Sequence, residues 1–82
     1  MNVAIIEKIE YKDLNFDFKS YVCKNRKVAE KLVNSLIEEI KSKIPNLNNY
    51  DEHIFNGNNF YMYSKNYDHN IDIILHEEEI IE

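Results

Sequence analysis

The chain has 82 residues, 44% of them hydrophobic and 30% charged, with one glycine, one proline, one cysteine and a formal net charge of −5. This length fits one domain, residues 1–82, with a small core. The single glycine excludes the glycine-rich loops that cradle phosphates, and the lone Cys23 excludes an internal disulfide. The charge is divided unevenly: residues 1–45 carry nine bases against seven acids, and residues 46–82 carry Lys65 against eight acids, a balance of −7.

In chain order, Val3–Tyr11 is β-branched and uncapped, and predicts a strand that turns at Lys12-Asp13. Leu14–Cys23 alternates, with Leu14, Phe16, Phe18 and Val22 on one side and Asn15, Asp17 and Lys19 on the other, the pattern of a half-buried strand. Asn25 is the expected N-cap of a helix over residues 26–44. The apolar positions Val28, Ala29, Leu32, Val33, Leu36, Ile37, Ile40 and Ile44 recur at three and four, so this helix presents one wide stripe to a core. Glu39 and Lys43 form a favourable i,i+4 pair. Pro45 ends the helix, because the residue before a proline is pushed out of the α region.

A polar connection, Asn46–Asn49, leads to two short strands, 52–55 and 59–63. Asn56-Gly57 between them is a strong hairpin signal, since both residues tolerate positive φ. A turn over Asn66–His69 precedes a strand over 70–76, and the chain closes with Glu77-Glu78-Glu79-Ile80-Ile81-Glu82. The predicted fold is α+β: an antiparallel sheet of about five strands in the order β-β-α-β-β-β, with one amphipathic helix packed on one face. One helix covers part of such a sheet and leaves the other face to solvent or a partner.

Three constellations carry candidate chemistry. Asp68, His69, Asp72, His76 and Glu77 include metal-ligand types, but their spacing matches no strong zinc or calcium signature, and a solvated strand face explains them as well. Cys23 lies near Lys24 and Arg26 without a catalytic histidine in register, and reads as a packing residue. Lys24, Arg26, Lys27 and Lys31 form a basic patch with no interleaved aromatic, which is weak for nucleic-acid binding in a chain this acidic. No catalytic residue, bound metal or cofactor is expected.

The acidic half also holds Tyr50, Tyr61, Tyr63 and Tyr67, and tyrosines are enriched at interfaces. If the helix covers Phe60 and Met62, alternation puts Tyr61 and Tyr63 on the open face beside Asp72. The expected partner-binding residues are therefore Tyr61, Tyr63, Tyr67, Asp68, Asp72, Glu77, Glu78 and Glu79. The acids can equally serve as guards against edge aggregation, and the tyrosines as ordinary cross-strand pairs.

The function expected from these features is a small, acidic, non-enzymatic inhibitor that blocks the basic surface of a protein partner, such as a nucleic-acid-handling enzyme. Proteins of this physical type are encoded by phages and mobile elements against host defence nucleases. An immunity protein or antitoxin against a basic toxin predicts the same face. A metal-binding protein or metal-dependent enzyme using Asp72, His76 and Glu77 is the alternative from another class, and a homodimer joining the basic helix end to the acidic tail is a third. No direct nucleic-acid or membrane contact is expected, and the chain is read as cytoplasmic: it lacks an apolar run near 18 residues and its N-terminus lacks signal-peptide features.

Overall fold

The computed structural model describes residues 2–55 and 59–81. It contains β1 (Asn2–Lys12), β2 (Asn15–Cys23), α1 (Arg26–Ser42), a single 3₁₀ turn (Leu47–Asn49), β3 (Tyr50–Phe55), β4 (Asn59–Ser64) and β5 (His69–Glu79). The five strands form one antiparallel sheet in the order β2-β1-β5-β4-β3. The predicted α+β architecture is the observed one. The hairpin signal at Asn56-Gly57 lies outside the described residues.

The strand order explains the position of the helix. Strands β2 and β3 are the two edges, so the segment between them must cross the whole sheet, and α1 lies over one face as it does so. The Asn25 side chain accepts a hydrogen bond from the Val28 amide at 2.9 Å and caps the helix start. Arg26, unfavourable at the positive end of the helix dipole, is held by Glu30 at 2.9 Å and Glu77 at 3.6 Å. The α-helix ends at Ser42, two residues before the predicted limit, and the chain tightens into i→i−3 hydrogen bonds at Lys43 and Ile44 as it approaches Pro45.

Ala29, Leu36 and Ile40 of α1 are buried against Ala4 and Ile6 of β1, Phe60 and Met62 of β4, and Ile71, Ile73 and Leu75 of β5. Leu32, Val33, Ile37 and Ile44 pack at the margin of this core, and Val28 is turned outward. A 17-residue helix is about 25 Å long, whereas the 11-residue strands β1 and β5 span about 37 Å, so the helix cannot cover the sheet from end to end.

Several sequence expectations need correction. Leu14 belongs to the β1–β2 turn: Asp13 and Leu14 have φ of 48° and 72°, the left-handed pair that matches the twist of a two-residue hairpin. The apolar side of β2 does not face the helix. Ala4 pairs with Cys23 and Ile6 with Tyr21, so Cys23 and Tyr21 fill the core side; parity then sends Lys19, Asp17 and Asn15 the same way and Phe16, Phe18 and Val22 to the opposite face. Strand β3 begins at Tyr50. Strand β5 begins at His69 and continues to Glu79, because Glu77–Glu79 pair with Asn2–Ala4 of β1.

Candidate functional site

The face of the sheet away from α1 is covered by no described element. Its strand residues run in rows: Phe18, Ile9, Asp72, Tyr61 and His53 form one, and Phe16, Tyr11, Asn70, Tyr63 and Asp51 form the next. Phe16 is 68% exposed, and Phe18 and Val22 are also exposed. A large apolar surface left to solvent is costly unless something covers it.

On the β3–β4 side the rings form a continuous stack. Tyr63 lies 5.8 Å from His53 with the planes 19° apart, 5.3 Å from Tyr67 at 11°, and 5.1 Å from Tyr61 at 41°. Tyr67 reaches this stack from the β4–β5 turn with φ of 60°, a left-handed conformation that costs a bulky residue about 1–2 kcal/mol. The amide of Tyr67 donates to the Ser64 carbonyl at 2.9 Å, and the amide of Asp13 donates to the Asp68 carbonyl at 3.0 Å, tying the two turns together. The turn holds this conformation while the Tyr67 ring, 63% exposed, lies on the sheet. Burial, then the neighbouring Asp51, raises the Tyr63 phenol above its ordinary pKa, so Tyr63 stays neutral.

Apart from His76, which lies 3.6 Å from Glu7 and 3.1 Å from Glu78, the charged strand residues of this face are of one sign. They include Glu7, Asp51, Asp72 and Glu78 and no lysine or arginine, whereas Lys8, Lys12 and Lys19 all project to the helix side. Asp72 sits at the centre, half-buried between Ile9 and Tyr61, with no hydrogen bond or ion pair among the described residues. Burial pushes its carboxyl above the ordinary 3.8. The folded pKa thus exceeds the unfolded one, so the folded state holds this proton more tightly. The resulting penalty is absent below 3.8, grows through the window above it and is complete once pH passes the raised value. Asp72→Asn is expected to raise the melting temperature at pH 7, with the gain shrinking as pH falls toward 3.8. A neutral-pH melting temperature that does not rise would mean that the carboxylate is compensated.

Of the sequence-predicted residues, the fold brings Tyr61, Tyr63, Tyr67 and Asp72 together and sets Glu78 on the same face toward one end, opposite Val3. Asp68 lies in the β4–β5 turn, where its carboxylate accepts from Ser64 Oγ at 2.7 Å and Asn66 Nδ2 at 3.2 Å. Glu77 and Glu79 project to the helix side, so the three consecutive glutamates do not form one patch. The same alternation separates Glu77 from Asp72 and His76, and no group of three metal-ligating side chains converges among the described residues. Cys23 is buried beside Ala4.

Sequence reasoning missed a polar network inside the helix side. His69 is buried, with Nε2 at 2.6 Å from Glu10 Oε2 and Nδ1 at 2.6 Å from the Tyr50 hydroxyl. With Glu10 ionised, the carboxylate can only accept, so Nε2 carries the proton; in the neutral ring Nδ1 then accepts from Tyr50. Burial first, then the nearby Asp68, Asp13 and Glu10, raises the Tyr50 pKa, which keeps the phenol protonated for this role. Tyr50→Phe would leave Nδ1 unpaired and is expected to cost about 1–3 kcal/mol in chemical denaturation. These residues are 59 and 19 positions apart, and no spacing rule connects them.

No helix is long and apolar enough to cross a membrane among the described residues. No family model, curated protein or solved structure matches this chain.

Proposed function

We propose that this protein is a non-enzymatic binder whose open sheet face docks on a basic surface of a partner protein, and that it inhibits a nucleic-acid-handling enzyme by covering the groove used for phosphates. The supporting observation is the composition of that face: four strand-borne carboxylates and no lysine or arginine, set among a stack of tyrosines and exposed phenylalanines. Carboxylates on a rigid sheet can substitute for phosphate charges, and the aromatic faces can hold arginine guanidinium groups. Asp72 has no ion pair among the described residues and becomes the natural seat for one partner cation.

The test uses two double variants with equal change in net charge on opposite faces. The partner is first captured from the native host. Its association rate is then measured with Asp51→Lys/Asp72→Lys and with Asp17→Lys/Glu79→Lys, both checked for folding by circular dichroism. The open-face variant should associate more slowly, with a flatter salt dependence, than the helix-side variant. Equal rates for the two would exclude docking through this face.

A further inference from the structure

On the opposite side of the sheet, the C-terminal end of α1 overhangs a cavity of about 160 Å³ lined by Lys8, Lys12, Lys43, Glu10, Glu39 and His69. We infer that this cavity is a binding site for a small phosphate-bearing anion. The inference is independent of the docking face.

Of the two carboxylates in the cavity, Glu39 is offset by Lys43 at 3.0 Å and Glu10 is held by a hydrogen bond to His69 at 2.6 Å. Lys8, Lys12 and Lys19 make no ion pair among the described residues. Lys8 and Lys19 also stand directly opposite each other on β1 and β2, a like-charge cross-strand pair that destabilises the sheet. The hydrogen bond and charge of Lys43, and then the more distant charges of Lys8 and Lys19, hold the Glu39 carboxyl below its ordinary range. Positive charge therefore acts on the Glu39 side of the cavity, whereas Asp68, Asp13 and Glu10 set a negative field on the Tyr50 side, so an anion would sit toward the lysines.

The end of a helix opposes an anion through its dipole, but here that opposition is reduced. The amide of Lys43 donates to the Ile40 carbonyl at 3.2 Å, and the amide of Ile44 donates to the Lys41 carbonyl at 3.3 Å, so two of the last carbonyls are occupied. Uncommitted lysine ammonium groups suit a phosphate oxyanion. The Glu10–His69–Tyr50 network fixes the polar wall of the cavity, and Ile44 and Pro45 supply an apolar wall for the body of an ester.

The full chain is titrated with inorganic phosphate and, separately, with phenyl phosphate, against potassium chloride of equal ionic strength. Binding is followed by amide chemical shifts and melting temperature. The expected result is a saturable shift around Lys8, Lys12, Tyr50 and His69, at least tenfold weaker in Lys8→Gln/Lys12→Gln and unchanged in Lys65→Gln. If the double variant does not fold, the exposed Lys12→Gln alone should weaken binding at least threefold. Tighter binding of phenyl phosphate assigns the site to a phosphate ester using the apolar wall; equal binding assigns it to free phosphate. A response no larger than that to chloride, retained in the lysine variants, or lost equally in Lys65→Gln, overturns the proposal.

Discussion

Replacing Ile73 by alanine is expected to cost about 2–5 kcal/mol of folding stability. Ile73 is 1% exposed and lies on β5, between Lys8 of β1 and Phe60 of β4, in the core beneath α1. Its removal leaves a void that two flanking strands hold open. A chain this short sits near the low end of the roughly 5–15 kcal/mol typical of native domains, so the variant should be largely unfolded at 37 °C. Phe16→Ser is the informative comparison. It deletes a larger apolar group from a position that the strand pattern alone would rank as core, yet Phe16 is 68% exposed and its loss should cost much less. Urea melts of the two variants measure the difference. Similar costs would mean that the buried face of β2 has been misassigned.

Truncating Tyr63 to alanine is expected to accelerate release of a captured partner by tenfold or more, equivalent to at least about 1.4 kcal/mol. Tyr63 is the member of the aromatic stack that contacts His53, Tyr61 and Tyr67, so removing it deprives three rings of a neighbour. The association rate should change little, because steering depends on the carboxylates and not on the phenol. Tyr67→Ala removes the most exposed tyrosine of the stack while leaving Tyr61 and Tyr63 in place, and should give a smaller effect of the same kind. Surface plasmon resonance with the folded variants separates the two rates. An unchanged dissociation rate for Tyr63→Ala would remove the aromatic anchor from the proposed mode of binding.

The elements of this fold are encoded locally. Alternation along residues 15–23, the three–four repeat of α1, the Asn25 cap and the stop at Pro45 each depend on residues within one or two turns of one another, so the element types follow from the sequence alone. The uneven charge and the tyrosines of the acidic half are equally readable, and alternation along β4 correctly separates Phe60 and Met62 from Tyr61 and Tyr63.

What a strand buries is decided elsewhere. A period of two divides a strand into two sides without saying which one meets the core, and the choice rests on non-local register. For β2, pairing of Cys23 with Ala4 and Tyr21 with Ile6 turns the polar side toward the helix and leaves Phe16 and Phe18 open. For β5, pairing with β1 converts an apparent acidic run into residues on opposite faces, with Glu78 on the open side and Glu77 beside Arg26. The convergence of Glu10, Tyr50 and His69 requires β1, β3 and β5 to be in place at once. Local sequence determined the pieces and their periodicity. Tertiary pairing alone decided which faces are buried, because burial depends on distant strands that local periodicity does not encode.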